Sequence, residues 1–140
     1  MRTGEYILIA EDDEDDRMLL VSAFRDLSEK IELIFVENGI ELLNHFRKID
    51  EGVVPKLPSL LIVDLNMPKK NGKEAIGELT GKSYFKRFPT IIFSTTGNEF
   101  EKNRCRELGI EKFFVKPSNY SGLLGVVNQF RELAGLSVKS

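Results

Sequence analysis

Residues 60–72 read LLIVDLNMPKKNG, an apolar run that halts on Asp64 and passes at once into the turn formers Asn66, Pro68, Asn71 and Gly72. A short apolar run bounded by turn signals has the length and make-up of a strand covered on both faces. A carboxylate at its end is either a cap for the helix that follows or a reactive group. What the rest of the chain brings beside it has to decide between the two.

Outward from this stretch the same punctuation recurs. YILIA (6–10), ELIFV (32–36), TIIFS (90–94) and KFFVK (112–116) join LLIVD (60–64) as five predicted strands. They are rich in β-branched and aromatic residues and nearly continuous, as strands with both faces covered should be. DRMLLVSAFRDLS, GIELLNHFRKID, GKEAIGELTGK and NEFEKNRCREL fill the gaps as helices, and SGLLGVVNQFREL closes the chain as a fifth. In that last segment Leu123, Val126, Val127, Phe130 and Leu133 follow a helical 3–4 spacing. Gly109 after Leu108 suits a helix stop. The fourth helix has only Phe100, Cys105 and Leu108 to bury, the weak anchoring a movable element needs. RKIDEGVVPKLPS (47–59) carries Pro55 and Pro58 and reads as an exposed loop without regular structure. Strict β-α alternation predicts an α/β fold, a parallel sheet with helices on both faces.

The bulk properties exclude several classes. At 140 residues the expectation is a single domain over 1–140 with no output domain. A 41% hydrophobic, 30% charged composition is that of a folded chain, and a formal charge of -2 lacks the basic excess of a nucleic-acid binder. No apolar run has the length of a membrane span, and the N-terminus meets charge too early for a signal peptide. With a lone Cys105 this points to a cytoplasmic protein without membrane insertion. Cys105 reads as a passive helix residue. His45, off the stripe of Leu42, Leu43, Phe46 and Ile49, reads as solvated.

In an open parallel sheet, chemistry collects at the carboxyl ends of the strands. The first predicted strand runs into EDDEDD, residues 11–16. The helix dipole accounts for the acids from Asp13 to Asp16 in a first turn. It does not account for Glu11 and Asp12, which precede the helix. With Asp64 they make three carboxylates that can converge at one edge and hold a hard cation such as Mg²⁺. The fourth strand ends on Ser94, with Thr95 and Thr96 behind it, and the fifth on Lys116 before Pro117. Each is ordinary alone, a hydroxyl cap and a surface lysine. The set of acids, hydroxyl and ammonium at four of five strand ends is specific.

This pattern resembles the receiver domains of two-component response regulators, the CheY-like fold, over essentially the whole chain. The resemblance implies a flavodoxin-like doubly wound sheet of five parallel strands in the order 2-1-3-4-5, flanked by five helices. It places the phosphoacceptor at Asp64, in DLNMP, and the acidic pair at Glu11 and Asp12, with Glu in place of the frequent first Asp. Mg²⁺ is then held by Asp12, Asp64 and the backbone carbonyl of Asn66, with Glu11 acting mainly through water. Lys116 takes a phosphoryl oxygen. Ser94 is the switch hydroxyl, Thr95 its neighbour in an alternative register, and Phe113 the aromatic switch. The expected cycle exposes Asp64 to a sensor histidine kinase or histidine phosphotransfer protein. It ends by remodelling the surface of the fourth helix, fifth strand and fifth helix for a downstream protein. Asn66 and Thr96 are expected to tune the lifetime of the phosphorylated form. LNMPKKNGKE and STT look most like stand-alone receivers associated with phytochrome-type kinases.

Other readings have less behind them. A Mg²⁺-dependent phosphohydrolase of the haloacid dehalogenase type needs an acid two residues beyond its nucleophile, where this chain has Asn66. A flavin or nucleotide binder places a phosphate loop after the first strand, where this chain places carboxylates. A degenerate receiver acting as a constitutive binding module would lack some of the five side-chain types, and none is missing.

Overall fold

The computed structural model describes residues 2–3, 6–27, 30–65, 67, 69–95, 97–110 and 112–135. Its main sheet contains β2 (Tyr6–Ala10), β3 (Glu32–Val36), β5 (Leu60–Val63), β6 (Thr90–Ser94) and β7 (Lys112–Val115). All are parallel, in the order β3-β2-β5-β6-β7, which is the expected 2-1-3-4-5. The helices are α1 (Glu14–Leu27), α2 (Gly39–Asp50), α3 (Gly72–Leu79), α4 (Glu99–Glu107) and α5 (Tyr120–Leu133).

The alternating pleat divides the strand residues between two cores. Ile7, Ile9, Ile62, Ile91 and Phe93 pack against α1 and α5 through Leu20, Phe24, Val127 and Phe130. Leu8, Leu61, Val63 and Ile92 pack on the other face against α2 and α3 through Leu42, Phe46, Ile76 and Leu79, with Cys105 of α4. The inner strands β2, β5 and β6 are buried throughout, as predicted. The edge strands β3 and β7 are not, because each lacks a neighbour on one side.

Each helix opens on an Asx residue just past the carboxyl edge of the sheet. Asp13 Oδ1 accepts from Asp16 N at 2.9 Å. Asn38, Asn71, Asn98 and Asn119 do the same for α2 to α5, with a full capping box at Asn71 and Glu74. Helix α4 ends as foreseen at Gly109, whose φ of 88° lets Gly109 N and Ile110 N reach back to the Arg106 and Cys105 carbonyls.

Three expectations are corrected. The segment 47–59 is no free loop. Lys56–Leu57, between the two prolines, forms a short strand β4 that pairs in parallel with β1 (Arg2–Thr3), and Leu57 and Pro58 are buried. Tyr6 stitches it down, since its hydroxyl donates to the Lys56 carbonyl at 2.8 Å and its own carbonyl accepts from Ser59 N at 2.9 Å. His45 is half-buried, with Nε2 3.0 Å from the Tyr6 hydroxyl. Phe100 is not an anchor of α4 but is 67% exposed under the Arg104 guanidinium. Cys105 is buried, and burial, with the Glu101 carboxylate nearby, pushes its thiol up. Among the described residues no peptide bond is cis, so Lys116–Pro117 is trans. No helix among them is long and apolar enough to cross a membrane.

Candidate functional site: a carboxylate cluster around Lys116

Sheet register brings the strand ends together. Glu11 follows β2 and donates its N–H to the Val36 carbonyl of β3 at 2.9 Å. Asp64 follows β5 and donates to the Ala10 carbonyl of β2 at 3.0 Å. Lys116 follows β7 and donates to the Ser94 carbonyl of β6 at 2.8 Å. One extra turn of backbone pairing past the regular strands thus holds each polar residue in place.

Two glycines fix the loop between β5 and α3. A Cβ on Gly72 would sit 2.6 Å from the Asp64 carbonyl oxygen, and one on Gly39 would sit 2.2 Å from that of Lys70. Neither gap admits a side chain, so α3 starts directly against the backbone of Asp64. The turn also holds Lys69 at a φ of 61°.

The side chains converge on one ammonium. Lys116 Nζ lies 2.6 Å from Glu11 Oε1, 2.8 Å from Asp16 Oδ2 and 3.0 Å from Asp64 Oδ2. Each of its three N–H groups therefore has an anionic acceptor. Burial works against the charged lysine, but hydrogen bonds to Asp16 and Glu11 outweigh it and hold Lys116 above its ordinary range. Burial pushes Glu11 up to about 7, against the pull of Lys116 and with the Asp64 carboxylate adding to it.

Glu11, Asp12 and Asp64 each present an oxygen within 4.8 Å of the others. This all-carboxylate donor set suits a hard divalent cation, and its excess of negative charge over the single ammonium favours one. Asp12 is the exposed member, whereas Asp64 is only 8% exposed, against the expectation of an open carboxylate. Lys116 covers it at one oxygen.

Ser94 is fully buried and its Oγ has no hydrogen-bond partner among the described residues. Such a group is rare enough to need a reason. Thr95 is exposed, and Phe113 is half-buried against the α2/α3 core with Lys102 Nζ 5.9 Å from its ring centre. Asn66 and Thr96 lie outside the described residues. Asp16 is the site residue that sequence reasoning missed, having been assigned to the helix dipole. Its signal was position: first-turn acids differ in heading, and only packing shows which one faces the neighbouring strand end.

Comparison with known proteins gives the family of the chain. The response regulator Rcp1 of Synechocystis sp. is 28% identical over 123 residues, covering 88% of this chain and 84% of that protein. The crystal structure of the phosphorylated cyanobacterial phytochrome response regulator RcpA matches at a TM-score of 0.85 and 28% identity, covering 99% of this chain and 98% of that one. The Mn²⁺-bound form of Rcp1 matches at 0.81 and 25% identity, over 98% and 100% of the two chains. Residues 7–128 match the response regulator receiver domain, and this chain belongs to that family.

Proposed function

We propose that this receiver domain is a phosphoacceptor switch of a two-component phosphorelay, with Asp64 as the residue that takes the phosphoryl group. The observation that carries this reading is the contact of Lys116 Nζ with Asp64 Oδ2, beside the Glu11–Asp12–Asp64 cluster. An Asp64 oxygen attacks phosphorus, a P–O bond forms, and the P–N bond to the donor histidine breaks with its electron pair left on the imidazole. Lys116 moves its third hydrogen bond from the Asp64 carboxylate to a phosphoryl oxygen. The buried Ser94 hydroxyl supplies a second donor to the same group, which accounts for its having no partner among the described residues before transfer. Glu11, Asp12 and Asp64 would hold Mg²⁺, whose chemistry when bound is to neutralise charge on the transferring group. The match to an Mn²⁺-bound regulator supports a divalent cation here.

The donor is a sensor histidine kinase or a histidine phosphotransfer protein. The phytochrome response regulators among its relatives direct the search to phytochrome-type kinases first. Once Ser94 turns toward the phosphoryl group, Phe113 moves into the space released, and the surface of α4, β7 and α5 changes for a downstream protein. The test is intact mass after incubation with phosphoramidate and Mg²⁺. One phosphoryl group on the wild type, absent with chelator and in Asp64→Asn, is expected. A label that persists in Asp64→Asn overturns the assignment.

A further inference from the structure

Lys116 has three carboxylate partners, and the proposed reading of Asp64, on which the following rests, changes two of them. Asp64 loses its charge once one of its oxygens is bonded to phosphorus. Glu11 belongs with Asp12 and Asp64 to the cluster suited to a cation. Asp16 is outside that cluster and 2.8 Å from Lys116 Nζ. It has no capping duty either, because Asp13 caps the first turn through the backbone N–H of Asp16 and leaves the Asp16 carboxylate to Lys116. Its place on the Asp13-capped first turn of α1 sets where that carboxylate stands.

We propose that Asp16 is a positioning residue for phosphoryl transfer: it is the anchor that keeps the Lys116 ammonium over the Asp64 end of the sheet while Glu11 and Asp64 exchange their partners. An ammonium has no directional fork and a flexible stem, so it needs fixed acceptors to stay aimed. With Asp16 in place, one of its three N–H groups stays on Asp16 throughout and keeps another aimed at the incoming oxygen. Without Asp16, Lys116 has only partners that the reaction itself draws away. The neighbouring acids Glu14 and Asp15 are exposed on the same turn and supply the dipole term alone.

The test uses the full chain labelled with ¹⁵N on lysine. In metal-free protein at constant pH, the Lys116 ammonium resonance, identified by its loss in Lys116→Met, is expected to be visible because hydrogen bonds slow its exchange. Asp16→Asn should remove or broaden it and lower the rate of Asp64 phosphorylation by phosphoramidate about tenfold, as loss of an orienting partner does. The Mg²⁺ concentration for half-maximal rate should stay unchanged. Asp16→Glu should recover part of both signals. Asp15→Asn removes the same charge from the same turn without the contact, and should match the wild type in both.

A wild type with no protected ammonium signal overturns the proposal. So does an Asp16→Asn variant that keeps the signal or the rate, or an Asp15→Asn variant that loses as much. If the wild type takes no phosphoryl group at all, the phosphoacceptor reading fails, while the ammonium spectrum still decides whether Asp16 anchors Lys116.

Discussion

At the scale of single residues, His45 shows how a polar side chain is defined by what it touches. The Tyr6 hydroxyl has one proton and gives it to the Lys56 carbonyl, so His45 Nε2 must be the donor in its contact with Tyr6. Burial, with the Lys48 ammonium nearby, lowers the pKa of His45. A histidine so depressed contributes stability that is fully present above its unfolded pKa, about 6.5. That stability is lost as pH falls through the folded value, since the unfolded chain takes up the proton first. Glu11, held up to about 7, acts in the opposite sense, gaining stability as pH falls toward its unfolded value. Urea melts of wild type and His45→Gln compared between about pH 7.5 and about pH 5.5, a range of about one unit above and below the free histidine value, isolate the histidine. The gap between them should narrow on acidification, and a constant gap counts against the assignment. Gly72 gives a second residue-level prediction. Gly72→Ala drives a methyl to 2.6 Å from the Asp64 carbonyl and should cost about 1–3 kcal/mol in the same melts. It should also slow phosphorylation, because the acceptor's backbone must shift.

Among the elements, α4 stands apart. Cys105 is its one buried residue, whereas α5 buries Leu123, Val127, Phe130 and Arg131. What ties α4 down is polar: Asn98 caps it, and Glu101 Oε1 meets Lys73 Nζ of α3 at 3.2 Å. Glu101 Oε2 is buried without a partner among the described residues. An element held by few apolar contacts opens at low free energy. Hydrogen exchange should therefore show α4 amides exchanging well before those of α1 and α5, and equal protection would contradict this. Removing the lysine should also cost more than removing the carboxylate charge. Lys73→Met leaves a mostly covered carboxylate uncompensated, while Glu101→Gln does not, so thermal melts should rank Lys73→Met as the less stable.

For the whole molecule, the two cores on opposite faces of one sheet make the site edge rigid, and the charge gathered there makes stability depend on what neutralises it. Four carboxylates, Glu11, Asp12, Asp16 and Asp64, face the single Lys116 ammonium. If the cluster holds Mg²⁺ in the folded state alone, saturation at about 100 times Kd should add about 2.7 kcal/mol. The Tm of the wild type should rise with Mg²⁺ and that of Asp12→Ala should not. Asp64→Asn should melt higher than the wild type without metal, since it removes one of the mutually repelling charges. A wild-type Tm indifferent to Mg²⁺ would count against the cation site.

The order of strands and helices, the two-faced burial of β2, β5 and β6, the Gly109 stop and the identity of the strand-end residues were all legible in the sequence, because they follow from periodicity and turn chemistry acting over a few neighbouring residues. Family resemblance supplied the 2-1-3-4-5 order, which local pattern does not contain. Only the tertiary structure decided that Lys56–Leu57 pairs with Arg2–Thr3, that His45 leans on Tyr6, and that Asp16 rather than Asp15 reaches Lys116. The reason is the same in each case. These contacts join segments 39 to 100 residues apart, and a residue's heading across such a gap is set by how helix and sheet pack, which no short stretch of sequence encodes.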